Sequence, residues 1–229
     1  MIPLRDDLPT RIAPTVTVAL VLLNTAVFFY ELSLEGPGRR GHAAIEEFMA
    51  RFALVPRAFF VPQVSLHSWL TPFSSMFLHG GVAHVAFNML FLWIFGNNVE
   101  DLLGHARYLG FYLFCGLVAA AAQVASAPHS AVPVIGASGA VAGVLGAYAV
   151  SYPTARVRTL VVLLVFWTTV YLPAAVLLVL WFTLQLSGAL EGNRAEGVAF
   201  WAHVGGFLAG ALLVKPFQVR PPVRTRIPI

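Results

Sequence analysis

The chain has 229 residues, of which 59% are hydrophobic and only 10% charged, with a mean hydropathy of +0.80. A soluble domain carries about a quarter charged residues, so these numbers exclude a soluble enzyme and indicate one helical membrane domain. The net charge of +4 comes almost wholly from arginine, and no folded basic domain exists to present it to a nucleic acid. A single cysteine, Cys115, excludes an intrachain disulfide and a structural zinc site.

Residues 1–13 read as a cytoplasmic tail, and the apolar stretch at 14–32 as the first span. That stretch is too long for a signal-peptide core and has no small-residue cleavage site after it. A loop of about forty residues follows, with Arg39, Arg40, Glu46, Glu47, Arg51 and Arg57, and is broken by Pro56 and Pro62. Pro cannot continue a helix, so the loop is expected to hold a small folded element, such as an amphipathic helix on the membrane surface. Further apolar segments lie at 76–97, 106–126, 137–152, 157–188 and 198–215, before a basic tail at 216–229. Most are close to the ~20 residues a spanning helix needs.

Segment 157–188 is long for one pass and short for two. The two residues most out of place in lipid decide it. Ser138 lies at the start of the fourth span, and His203 about a turn into the last. They meet only if both spans enter from the same face, which requires one pass between them. A single helix near 171–188 is therefore expected, started by Pro173, with 157–170 an interfacial or partly buried lead-in. Six passes put both termini on one side. Cytoplasmic termini place Arg5, Arg11, Arg107, Arg156, Arg158, Lys215, Arg220, Arg224 and Arg226 inside, and Arg39, Arg40, Arg51, Arg57 and Arg194 outside. This agrees with the positive-inside rule, and the Ser138 and His203 ends then face outward.

A hydroxyl and an imidazole are the parts of a nucleophile–base pair, and an ionisable residue inside a membrane marks a functional site by default. Ser138, Ala142, Gly146 and Ala149 share a face of the fourth span, beside Gly139 and Gly143; His203, Gly206 and Gly210 share a face of the last. Small residues let helices approach closely in lipid, and a short serine side chain needs that approach. On the second span His84 and Asn88 are four apart and face the same way. Both are hydrogen-bond donors, suited to an oxyanion hole completed by the Ser138 backbone N–H, or to a structural interhelical bond. His79 is off that face and is assigned to bonding the long loop. Zinc is the chemical rival, but there is no His-Glu-x-x-His and no carboxylate is placed inside a span. The same absence excludes a paired-aspartate protease and an acidic triad member. Glu100 or Asp101 is expected to pair with Arg107 and clamp the turn between the second and third spans.

Together, His79-Gly80-Gly81-x-x-His84-x-x-x-Asn88, Gly136-Ala137-Ser138-Gly139 and Ala202-His203-x-Gly205-Gly206-x-x-x-Gly210 resemble the rhomboid intramembrane serine proteases. Ala53-Leu54-Val55-Pro56 and the turn Glu100…Gly104…Arg107 also look like that family, and the likeness runs from about residue 15 to 215. It implies an all-α membrane protein, a six-transmembrane-helix rhomboid-like bundle over 14–215 with a long first external loop and a water-filled cavity opening outward. It implies Ser138 as nucleophile, His203 as general base and then acid, and His84 and Asn88 as the oxyanion site, supported by Gly136, Gly139, Gly206 and His79. No cofactor or metal is expected. The partners implied are transmembrane protein substrates in the lipid bilayer, gated by the fifth helix and the loop after it, about 171–200. One alternative is a catalytically silent rhomboid-like protein that binds or routes membrane clients; such relatives usually lack the serine or the histidine. A second is a small transporter or channel, which predicts discontinuous paired spans or a charged pathway. The chain departs from the family's pattern twice. Trp69-Leu70 stands where Trp-Arg is frequent, and Ala142 stands where some members stack an aromatic ring on the histidine. Something else must then hold His203. One lysine against thirteen arginines and no organelle-type presequence point to a bacterial plasma membrane.

Overall fold

The computed structural model describes residues 1–36, 38–163, 166–191 and 198–223. Arg194, Arg224 and Arg226, and part of the expected gating loop, lie outside the described residues. The helices are α1 (Thr15–Leu34), α2 (Arg39–Phe52), α3 (Leu66–Ser74), α4 (Val82–Leu103), α5 (His105–Ser126), α6 (Ser138–Ser151), α7 (Ala174–Glu191) and α8 (Phe200–Phe217). Five of them are long and apolar enough to cross a membrane, and α6 is a shorter apolar helix. The expected amphipathic element in the first loop is α2.

Beside the helical bundle stands a small sheet. Strands β1 (Ile2–Asp6), β2 (Arg156–Leu163) and β3 (Phe166–Pro173) lie in the order β1-β2-β3. Both pairings are antiparallel, with Ile2 opposite Leu160 and Val157 opposite Leu172. The lead-in at 157–170 is therefore a hairpin, and the fifth span begins at Ala174. The single pass inferred for this segment holds. Branched and aromatic residues on both strands favour extended backbone, and Val157 and Thr159 bury one face of the root. Residues 2–6, within the stretch read as a cytoplasmic tail, supply the third strand.

Buried carboxylates tie β1 and α1 to the bundle. Glu100 and Asp101 are fully buried on α4. Glu100 accepts hydrogen bonds from the Val16 and Thr17 backbone N–H groups and from the Thr17 hydroxyl, at 2.7–2.9 Å. These N–H groups begin α1, whose Pro14 cap offers no side-chain bond. A helix start leaves such donors unpaired and favours negative charge, so α4 caps α1 from outside. Asp101 pairs with Arg11 at 2.6 Å, and Glu100 meets His105 Nδ1 at 2.6 Å. This corrects the expected pairing with Arg107, which is exposed: the carboxylates point into the bundle, toward donors far away in sequence.

Asp6 accepts a 2.5 Å bond from the Tyr148 hydroxyl. Burial, with Asp7 adding to it, pushes the Asp6 carboxyl up from 3.8 to about 6 against the opposing pull of that bond. Docking of β1 then carries stability that is full below about 4 and is lost as pH rises through about 6. Asp6→Asn keeps the acceptor without the charge. It should raise the thermal midpoint at pH 7.5 and flatten its change between pH 4 and 7, as read by unfolding in detergent.

The core of the bundle is the seam between α6 and α8. A Cβ on Gly206 would fall onto the Gly139 carbonyl, one on Gly210 onto the Gly143 carbonyl, and one on Gly146 onto the Phe207 carbonyl. The two backbones are in direct contact, which only glycine permits.

Candidate active site

The seam sets the site. Ser138 is the first residue of α6 and His203 sits in the first turn of α8, so the tight crossing carries the two side chains together. Ser138 Oγ and His203 Nε2 are 2.7 Å apart. α6 has 14 residues, about 21 Å of helix, against a hydrocarbon core of ~30 Å. A helix of that length need not reach both membrane surfaces, and Ser138 stands at one of its ends. It is reached through a cavity of 490 Å³ that His84, Asn88, Trp181, Gln185 and His203 also line.

The loop before Ser138 is fixed by Gly136. Its φ of +119° suits glycine, and a Cβ there would sit 2.6 Å from His84 Nε2. Its N–H donates to the Ser75 carbonyl at 2.9 Å. His84 Nδ1 accepts from the Gly80 N–H at 3.4 Å, which leaves the Nε2 proton of a neutral ring directed at Gly136. Asn88 is buried and its Nδ2 has no partner among the described residues. Two donors on α4 therefore share a cavity with Ser138 and with the start of α6, whose first N–H groups lack helical acceptors.

Sequence reasoning missed the group that holds His203. Gln185 Oε1, on α7, lies 2.7 Å from His203 Nδ1. An amide oxygen only accepts, so Nδ1 carries the proton and Nε2 is left to accept from Ser138. The Trp181 ring, one turn earlier, lies 5.9 Å from the imidazole at an interplanar angle of 39°. These two residues occupy the role left open by Ala142. A signal was present: Gln185 is the single amide in the uncharged run 159–190.

Among the described residues His79 makes no bond to the long loop, where one was expected. It is 2% exposed, and its ring nitrogens have no partner among the described residues. Its ring packs edge-on against His84 at 5.1 Å, and its backbone N–H donates to the Glu31 carboxylate at 3.3 Å. Glu31 itself is buried on α1, which corrects the expectation that no span holds a carboxylate. It ties α1 to the turn that leads into α4. Among the described residues no cluster of three or more His, Cys, Asp or Glu is arranged to hold a metal.

A bundle of apolar helices around a largely apolar cavity that bears a serine and a histidine defines a polytopic membrane protein. A family profile, the rhomboid domain, matches residues 66–218, and the chain belongs to the rhomboid family. It is 31% identical over 134 residues to the rhomboid protease GluP of Bacillus subtilis, covering 58% of this chain and 24% of that protein. It is 29% identical to RHOMBOID-like protein 1 of Arabidopsis thaliana, over 91% of this chain and 54% of the relative. With the rhomboid protease AarA of Providencia stuartii it shares 34% identity over 47% of this chain and 36% of that one. The matches thus span from about a quarter to about half of these relatives' lengths.

Proposed function

We propose that this chain is an intramembrane serine endopeptidase, cutting transmembrane proteins in or next to their spans. The observation that carries this reading is the 2.7 Å contact of Ser138 Oγ with His203 Nε2 beside a cavity lined from α4, α6, α7 and α8. Neutral His203 takes the Ser138 proton as the oxygen attacks a substrate carbonyl, and returns it to the leaving amine. The oxygen that becomes negative is met by the His84 Nε2 proton, the Asn88 amide and the first N–H groups of α6. Water entering the cavity then releases the acyl-enzyme, with His203 again the base. Substrate helices must unwind locally to expose a carbonyl, so weak helix formers in the substrate span are favoured. The membrane is read as a bacterial plasma membrane, with both termini cytoplasmic and the cavity facing outward.

A fluorophosphonate probe tests this without knowledge of the substrate. It should modify Ser138 and fail to label Ser138→Ala. No labelling of folded protein would instead favour the client-binding alternative.

Gln185 is the positioning residue in this reading. Gln185→Leu leaves the Nδ1 proton unpaired and lets the wrong tautomer form. An unmet buried donor costs about 1–3 kcal/mol, so kcat should fall about tenfold to a hundredfold with KM nearly unchanged. Gln185→Glu keeps an acceptor and should retain most activity; equal loss in both variants would mean that Gln185 is structural only.

A further inference from the structure

The three-stranded sheet lies apart from the cavity, and its outer face has no partner among the described residues. The register puts Arg158 beside Arg5 on one side and Tyr171 on the other, Leu160 opposite Thr169, and Val162 opposite Trp167. Successive pairs of this face therefore run from an arginine root to an aromatic end. Arg5, Arg156 and Arg158 are exposed, as are Val162 at 52%, Tyr171 at 58% and Trp167 at 76%. From Thr159 to Pro173 the sequence contains no charged residue.

Three surroundings are conceivable for such a ribbon, and two fail on physical grounds. In water, an uncharged strand pair with bulky apolar side chains and an open edge is a template for aggregation, which natural sheets avoid with edge charges or proline. β3 is an edge strand, paired on one side only, and its interior carries neither. In hydrocarbon, the unpaired backbone groups along that edge would have no acceptors or donors, at several kcal/mol each. The headgroup layer satisfies both demands: it covers apolar side chains and hydrogen-bonds free backbone. Trp and Tyr concentrate there, and each arginine near an anionic surface gains about 1 kcal/mol. The location fits, because the hairpin leaves the bundle between the end of α6 and the start of α7, at the helix ends where β1 and Asp6 dock.

We propose that the β2–β3 hairpin is an interfacial anchor. Its aromatic end lies in the headgroup layer of the bilayer that the helices cross, and Arg5, Arg156 and Arg158 face anionic lipid phosphates. This does not depend on the chemistry proposed for Ser138.

The test uses the full chain with Cys115→Ala, labelled with the fluorophore NBD at Trp167→Cys. A second labelling position, Thr169→Cys, guards against failure of the first variant to fold. Exposed Thr154→Cys is the aqueous control. In phosphatidylcholine vesicles with phosphatidylglycerol, the label at 167 or 169 should show blue-shifted emission, quenching by headgroup-level nitroxide lipids and loss of iodide quenching. The label at 154 should stay iodide-accessible. Arg156→Gln with Arg158→Gln should reduce the additional shift that phosphatidylglycerol produces. Three results would overturn the proposal. One is iodide quenching at 167 and 169 equal to that at 154. Another is strongest quenching by mid-chain nitroxides. The last is a blue shift that grows with protein-to-lipid ratio, which would indicate edge pairing between two copies.

Discussion

Ser138→Ala should abolish cleavage of a single-span reporter substrate in proteoliposomes, with a loss of about 10⁴-fold or more in kcat. His203→Ala should do the same, and the double variant should be little worse than either alone. Groups that act as one unit are grossly non-additive, and the 2.7 Å contact makes Ser138 and His203 one unit. The low residual rate would come from His84, Asn88 and the α6 start, which need no base to polarise a carbonyl. All three variants should keep the wild-type thermal midpoint to within a few degrees, because the seam that holds α6 to α8 involves neither side chain. Activity retained by pure Ser138→Ala protein would sink the proposed mechanism.

The second large effect is expected at that seam. Gly206→Val places side-chain carbons where the Gly139 carbonyl now lies, and Gly210→Leu does so at the Gly143 carbonyl. Neither neighbour is a side chain that can swing away, so α6 and α8 must move apart. Overpacking of this kind costs about 1–3 kcal/mol or more. The catalytic consequence is larger, since a displacement near 1 Å can cost about a hundredfold in rate. Both variants should lose at least that much activity and unfold at lower temperature in detergent. Gly110→Ala is the control, because nothing lies within 4 Å of the added carbon; it should behave as wild type. Normal activity in Gly206→Val would mean that the seam does not set the Ser138–His203 distance.

What could be read from the sequence depended on whether a residue's partner was implied by spacing. Ser138 and His203 were legible because each sits beside glycines at helical intervals, and because the need to meet fixed the parity of the spans. His84 and Asn88 were legible as a pair four residues apart. The hairpin was not. Residues 157–173 carry no alternation of polar and apolar side chains, and hydropathy cannot separate such a strand pair from a membrane lead-in. Its third strand comes from residues 2–6, a long-range pairing that no local pattern announces. Glu31 was passed over, although it lies inside the stretch 14–32; a charge near a helix terminus ordinarily reaches water, but here it is 2% exposed. Glu100 and Asp101 were recognised as a clamp, but nothing local directs them to Thr17 and Arg11. Gln185 stands in no motif; a lone amide in an uncharged run marks the residue, but its partner is named only once α7 is set against α8.

The glycine seam and the Gln185 bond also divide the molecule mechanically. α6 and α8 are fused backbone to backbone, whereas α7 buries only Ala174, Leu177, Leu178 and Ala189. If the chain cuts membrane helices as proposed, widening of the cavity to admit one would come from the α7 side, and withdrawing α7 would pull Gln185 off the His203 ring. Entry and readiness would then exclude each other: with the door open the imidazole would be free to turn, and the serine would be armed only after the door had closed on its substrate. Such a safety catch would spare passing membrane helices that lodge in the opening without settling fully.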